Sequence, residues 1–177
     1  IQIKVIGKKE KGYLVEILNG ITAKQIFESI GHTPLPPYMN REDENEDENR
    51  YNTVFSKKEG SSAAPTASLN LTEDILKQIE NKGAKIVKVE LRVGWGTFAP
   101  IREKNIEEHT IHKEYIDVSK ESADVINQAK ANGKDVWAFG TTVMRTLESV
   151  VDENGVVQPY SGDTQLYIYP GYEFKVV

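Results

Sequence analysis

Three glycine-bearing turns are the places where this chain can host chemistry: Val93-Gly94-Trp95-Gly96-Thr97-Phe98, Phe139-Gly140-Thr141-Thr142 and Gly162-Asp163-Thr164. Each adjoins a segment with strand character, and open α/β sheets bind their ligands at such strand ends. In the first, the glycines either let backbone approach a ligand while Trp95 and Phe98 stack on a base, or form a tight turn flanked by core aromatics. It lacks the third glycine of a dinucleotide fingerprint and the Lys-Ser/Thr of a phosphate loop. The second opens a helix. There, free N–H groups and the hydroxyls of Thr141 and Thr142 receive a carboxylate or phosphate, or else one threonine caps the helix. Arg145 and Glu148, three apart, read as an exposed ion pair or as a ligand clamp. The third precedes a strand and serves at least as a turn.

His109 and His112 lie three apart with Glu114 beside them. A metal would want both histidines on one helix, whereas this stretch passes from helix to strand. A His–carboxylate pair that moves a proton is the better-supported chemistry, and no metal site is expected. No Ser-His-Asp arrangement is present.

The elements that must position these groups alternate from residue 70 onward. A helix is expected over 72–83, with Thr72 as N-cap, Glu73 and Asp74 at its positive end, and Ile75, Leu76 and Ile79 as its buried stripe. A strand over 85–93 follows, with Val87, Val89, Leu91 and Val93 on its core face. A second helix runs from a Ser119 cap to Asn132-Gly133. A strand over 135–139, a third helix over 142–151 and a last strand pair from 167–169 complete the pattern. This predicts an α/β fold, a parallel or mixed sheet with helices on its faces. Upstream, 1–6 and 13–17 read as a hairpin, and 22–29 as a short helix stopped by Gly31. Two strands alone are marginal in water, and the chain starts with Ile, so the hairpin is expected to be the tail of a larger, inserted β domain. The expected division is a β-barrel remnant over 1–20 and an α/β domain over 21–177.

Composition narrows the function classes. The chain has 177 residues, 38% hydrophobic and 28% charged, which is globular and excludes collagen-like, coiled-coil and disordered chains. Zero cysteines exclude disulfides, thiolate catalysis and iron–sulfur clusters, and a reducing cytoplasm is the expected setting. No apolar run approaches the ~20 residues that span a bilayer. The net charge of −5 argues at first against a nucleic-acid partner. However, six carboxylates sit in the seven positions 42–48; without them, 21 acidic residues face 22 basic ones. The run 41–50 is expected to be a solvated surface loop, entered through the stiff connector Pro34-Leu35-Pro36-Pro37-Tyr38.

Seven segments in one order resemble one enzyme family, the S-adenosylmethionine:tRNA ribosyltransferase-isomerases of queuosine biosynthesis. They are Thr33-Pro-Leu-Pro-Pro-Tyr38, Arg50-Tyr-Asn-Thr-Val-Phe55, Ala63-Ala-Pro-Thr-Ala67, Val93-Gly-Trp-Gly-Thr-Phe98, Ile111-His-Lys-Glu114, Gly140-Thr-Thr142 with Arg145-Thr-Leu-Glu148, and Gly162-Asp-Thr164 with Tyr169-Pro-Gly-Tyr172. The resemblance implies an α/β domain carrying an inserted β-barrel. It also implies an activity that uses S-adenosylmethionine as a ribosyl donor. The ribosyl group goes to the aminomethyl nitrogen of a 7-deazaguanine at the tRNA wobble position and is isomerised to an epoxycyclopentane, with release of adenine and methionine. No metal and no cofactor beyond this co-substrate is implied. The partners are tRNA and S-adenosylmethionine, with no membrane, in a cytoplasmic and monomeric protein.

Carried onto this chain, the resemblance makes Gly94, Gly96, Thr97 and Phe98 the lining of the donor or base pocket, with Pro65 and Thr66 as its opposite wall. Thr141 and Thr142 would hold the methionine carboxylate, Arg145 an anionic group and Asp163 the modified base, while His112 and Glu114 would handle protons. Two family histidines are replaced: Asn70 stands in Ala67-Ser-Leu-Asn-Leu71, and Arg92 precedes the Val-Gly loop. Asn cannot exchange a proton near neutral pH. The family's Thr-Asn-Phe-His-Leu-Pro motif would lie beyond Val177. This chain alone is therefore expected to be inactive. A second reading is a paralogue that keeps the fold and binds a nucleoside or RNA without ribosyl transfer.

Overall fold

The computed structural model describes residues 1–9, 12–94, 105–106 and 111–177. In chain order the elements are β1 (Ile3–Lys9), β2 (Gly12–Ile17), α1 (Ala23–Ile30), α2 (Asp47–Arg50), α3 (Glu73–Asn81), β3 (Glu90–Arg92), β4 (Glu114–Val118), α4 (Lys120–Ala131), α5 (Thr141–Ser149) and β5 (Tyr160–Thr164). Side-chain oxygens set where three of the helices begin. Thr22, Thr72 and Ser119 accept from the backbone N–H groups of Gln25, Ile75 and Ser122, and Gln25 returns a bond to the Thr22 N–H. The Thr72 and Ser119 caps stand where the sequence predicts them, since a cap depends only on neighbours three residues away; Thr22, expected inside its helix, is the cap of α1.

Two compact units result, 1–34 and 35–177. In the first, β1 and β2 pair antiparallel, with Ile3 opposite Ile17 and Val5 opposite Val15; the register shifts between Val5 and Gly7. No barrel closes among the described residues.

In the second unit, β4 is the middle strand of an antiparallel sheet ordered β3-β4-β5. Its alternation turns Glu114, Ile116 and Val118 to one face and Tyr115 and Asp117 to the other. Ile116 and Val118 join Ala123 and Ile126 of α4, Leu147 of α5, and Val150, Val157 and Val176 in the buried core. The mixed α/β class is as expected, but the described ladders are antiparallel where a parallel or mixed sheet was expected. The expected strands at 135–139 and 167–169 carry no ladder, and only 90–92 of the expected 85–93 strand is paired. A strand needs a neighbour with free backbone groups, and among the described residues β5 takes the open edge of β4 instead.

The acidic run is exposed, as expected of a surface loop, at every position but Asp43 and Asp47. Arg41 donates to both carboxylate oxygens of Asp47, at 2.6 and 2.8 Å, and the Glu44 N–H adds a third bond at 2.8 Å. Asp47 is therefore buried at the start of α2, so the run is a folded turn and not simply a solvated loop. Six like charges repel, but one of them meets a guanidinium fork whose two donors match its two oxygens. Among the described residues, no helix is long and apolar enough to cross a membrane.

Candidate functional site

A carboxylate on the core face of a strand needs a partner, and β4 places Glu114 beside Ile116 and Val118 at 8% exposure. The partner comes from α5, which packs against β3 and β4. Arg145 of that helix donates to Glu114 Oε2, so the two form a buried ion pair. The other oxygen, Oε1, accepts the backbone N–H of Gly94 at 2.9 Å, which ties the first glycine turn to the pair. Arg145 also donates to the carbonyls of Leu166 (2.9 Å) and His112 (3.4 Å). One guanidinium thereby holds together the entry to β4, the segment after β5 and the base of the glycine turn.

The segment 61–67 lies along the opposite side. Ser62 donates from both its N–H and its hydroxyl to the Val93 carbonyl at 3.0 Å, and the Ser61 hydroxyl accepts the Val93 N–H at 3.1 Å. Beyond Pro65 and Thr66, Ala67 reaches the second glycine turn. A Cβ placed on Gly140 would stand 3.4 Å from the Ala67 Cβ, and Gly140 has φ +98, a conformation that disfavours any side chain. Gly140 is the N-cap of α5, and no side chain bonds the helix start. Thr141 is exposed and Thr142 half-buried there; the Thr142 carbonyl accepts the Thr146 hydroxyl at 2.8 Å. The helix thus offers its positive end beside Ala67.

The structure links Gly94, Glu114 and Arg145 directly, with half-buried His112 joined to Arg145 through its carbonyl, while the segment carrying Pro65 and Thr66 is tied to Val93 through Ser62 and to the start of α5 through Ala67. Glu114 and Arg145, which the sequence offers as a proton carrier and an anion contact, meet one another. Arg145 and Glu148 do not form an exposed ion pair: Arg145 is part-buried against Glu114, and buried Glu148 accepts the N–H groups of Lys175 (3.0 Å) and Val176 (2.8 Å) and the Tyr172 hydroxyl (3.3 Å). Burial, and then the Glu148 charge, push the Tyr172 phenol above its ordinary value.

Asp163 lies elsewhere. It pairs in register with Tyr115, whereas Thr164 pairs with Glu114, so Asp163 sits exposed on the opposite face of the sheet. Gly96, Thr97 and Phe98, with Trp95 and His109, lie outside the described residues. Of the two positions that depart from the family pattern, Asn70 is exposed. Arg92 donates to Glu90 at 2.8 Å and stacks on the Tyr115 ring, 4.4 Å from its centroid. Lys58 and then Arg92 hold the Glu90 carboxyl below its ordinary value. Among the described residues, no group of three or more His, Cys, Asp or Glu is placed to hold a metal ion.

Sequence reasoning missed Ser61, Ser62 and the Leu166 carbonyl. Two adjacent hydroxyls just before Ala63-Ala-Pro-Thr-Ala67 were the available signal, because such side chains substitute for ladder bonds where Pro removes a donor.

Comparison with known proteins places the chain in a family. The family described as "Queuosine biosynthesis protein" matches residues 1–177. The S-adenosylmethionine:tRNA ribosyltransferase-isomerase of Clostridium kluyveri is 48% identical over 159 residues, 90% of this chain and 46% of the relative. The protein of that name from Natranaerobius thermophilus is 50% identical over 154 residues, 87% of this chain and 44% of the relative. The one from Desulfitobacterium hafniense is 46% identical over 154 residues, 87% of this chain and 45% of the relative. The chain spans about half the length of the curated relatives it matches. With a match along its whole length and with the site segments gathered around Glu114 and Arg145, the chain belongs to the queuosine biosynthesis protein family.

Proposed function

We propose that this chain supplies the donor-binding half of an S-adenosylmethionine:tRNA ribosyltransferase-isomerase. The observation that carries the reading is identity of 46 to 50% with relatives of that name over 87 to 90% of the chain. The ties of Gly94 to Arg145 through Glu114, and of Ala67 to the start of α5, support it. In this reading S-adenosylmethionine is the co-substrate, no further cofactor is called on, and the acceptor is a 7-aminomethyl-7-deazaguanine at the tRNA wobble position. The protein acts as a monomer in the cytoplasm, and its hairpin belongs to an inserted barrel.

The residues divide the work by what they can reach. The open N-terminus of α5, with Thr141 and Thr142, holds the methionine carboxylate, because its backbone donors and dipole favour an anion. Gly94, with Gly96, Thr97 and Phe98, lines one side of the pocket, and Pro65 and Thr66 line the other. Glu114 and Arg145 fix that lining: the carboxylate holds the Gly94 N–H, and the guanidinium holds the His112 carbonyl. His112 is then the group that takes the proton from the carbon beside the sulfonium, since an imidazole changes charge near neutral pH. As the ribosyl group passes to the aminomethyl nitrogen and is isomerised to the epoxycyclopentane, adenine and methionine are the leaving groups. Asp163, on the other sheet face, contacts the tRNA side.

The test is adenine release from S-adenosylmethionine by the full-length protein with precursor tRNA. Release together with loss of the aminomethyl base is expected. His112→Ala should lower the rate by about 10², and an unchanged rate removes His112 from the mechanism. The second reading, a binding paralogue without transfer, is favoured by Asn70 and by Arg92, whose charge is engaged by Glu90 and Tyr115. Binding of S-adenosylmethionine without adenine release decides for it.

A further inference from the structure

The β3–β4 ladder ends where Arg92 pairs with Tyr115, so Val93 and Gly94, which lead into the first glycine turn, lie past its last rung. Side chains take over there. Glu114 accepts the Gly94 N–H at 2.9 Å. The Ser61 hydroxyl accepts the Val93 N–H at 3.1 Å, and Ser62 donates to the Val93 carbonyl from its N–H and from its hydroxyl, both at 3.0 Å. Three consecutive backbone groups at the root of the turn are thus held, two of them by the segment 58–62. That segment is itself fastened. Lys58 donates to Glu90 at 2.6 Å, and Gly60, at φ +132, passes so near β3 that an added Cβ would stand 3.4 Å from the Arg92 Cδ. The contacts of 58 with 90, 60 with 92 and 62 with 93 advance together, so the segment runs beside β3 as a strap, using side chains where a strand would use its backbone. Val93 is 6% exposed, so its N–H has little water to turn to if the Ser61 hydroxyl is lost.

We propose that Ser61 and Ser62 are positioning residues for the donor pocket: they fix both backbone groups of Val93 and so set the direction in which the glycine turn leaves β3. That the turn receives S-adenosylmethionine rests on the ribosyltransferase reading; that the serines hold its root rests on the hydrogen bonds themselves. Ser61 carries the larger share. Its hydroxyl is the acceptor of a buried N–H, whereas Ser62 keeps its backbone bond to the Val93 carbonyl when its hydroxyl is removed. A turn that is held before the donor arrives does not have to be ordered by it. Loss of a serine should therefore appear in binding and KM, with kcat largely kept.

The experiment compares Ser61→Ala, Ser61→Thr, Ser62→Ala and Val157→Ala with the parent, all in the full-length protein, by amide exchange, titration with S-adenosylmethionine and adenine-release kinetics. Ser61→Ala should speed exchange at Val93 about tenfold and raise Kd and KM for S-adenosylmethionine about tenfold, with kcat within about twofold. Ser62→Ala should move the same quantities by about two- to threefold. Ser61 is exposed, so Ser61→Thr has room for its methyl group, keeps the hydroxyl and should behave like the parent. Val157→Ala opens a cavity in the core away from the turn; it should lower the melting midpoint at least as far as Ser61→Ala while leaving Kd and KM unchanged. Unchanged exchange at Val93 in Ser61→Ala overturns the hold on the turn. Faster exchange with unchanged affinity overturns the role in the pocket, as does a loss of affinity in Val157→Ala equal to that in Ser61→Ala. If the parent protein binds S-adenosylmethionine but releases no adenine, the ribosyltransferase reading fails by itself, and exchange and Kd still decide the role of the serines; a parent that does not bind it ends both.

Discussion

On β1 and β2, Ile3 faces Ile17 and Val5 faces Val15 across the ladder, yet Ile3 and Val5 remain 57% and 59% exposed. On β4 the same alternation leaves Ile116 and Val118 at 0% and 2%. The difference is not in the strands. The sheet of the larger unit has α4 and α5 over one face, and those helices bring Ala123, Ile126 and Leu147 into its core. In the 1–34 unit, α1 buries no residue, and Phe27 and Ile30 stand 74% and 62% exposed. Alternation pairs strands, whereas burial requires a second layer. The larger unit has one, and its functional side chains grow out of that packing.

The comparison breaks first at the buried pair. Arg145→Ala leaves the Glu114 carboxylate inside the molecule with its guanidinium gone, and should cost about 3–5 kcal/mol of unfolding free energy. Gly94 then loses its fixed acceptor, so S-adenosylmethionine binding should fall with it. Denaturant titration measures the first and calorimetry the second; a loss under about 1 kcal/mol would mean that water reaches Glu114 and that the site is not built on the core. Ile116→Ala comes next. A fully buried side chain in contact with two helices should cost about 2–5 kcal/mol by the same titration.

Glu148→Gln should cost about 1–3 kcal/mol, because an amide turns a donor toward the N–H groups of Lys175 and Val176. It carries its own spectroscopic check. With the charge gone, the Tyr172 phenol should titrate lower than in the parent protein, toward its ordinary value; an unchanged ultraviolet titration would show that burial alone raises it.

How far the sequence reached follows the range of each interaction. Thr72 and Ser119 are legible because each cap acts over three residues. The motif segments around Pro65, Gly94 and Gly140 are legible as candidates. Their joining through Glu114 and Arg145 is not, since that pair spans 31 positions with no periodic signal. Strands fared worst. Residues 135–139 have the β-branched and aromatic content of a strand and no partner among the described residues, while Tyr160–Thr164, with Gly162 at its centre, pairs because β4 has an edge to fill. Within the acidic run, Asp47 misled for a related reason: composition reports repulsion, but one Arg six residues away decides where Asp47 goes.

That decision is open to titration. The Arg41 hydrogen bonds, then the Glu44 N–H, hold the Asp47 carboxyl down to about 2 from an ordinary 3.8. A lowered folded value means that the clasp contributes fully above 3.8 and is lost as the pH falls toward about 2. In acid unfolding, the Asp47→Asn variant should lack that part of the pH dependence while behaving like the parent protein below it. Equal slopes for the two proteins would mean that the pair contributes nothing to folding.

The smallest effect is the sharpest test of the difference between the units. Val5→Ala removes two methyl groups that are already in water, from a strand paired only with β2. In this chain it should shift unfolding by less than about 0.5 kcal/mol. The same substitution in the full-length protein should cost about 1–3 kcal/mol if a barrel covers that face, since burying a valine is worth roughly that much. A large cost in this chain would mean that the hairpin already has a second layer; a negligible cost in both proteins would leave the β1–β2 pair as an exposed ribbon and remove the barrel assignment. The two-protein comparison therefore separates a strand that waits for its layer from one that never receives it.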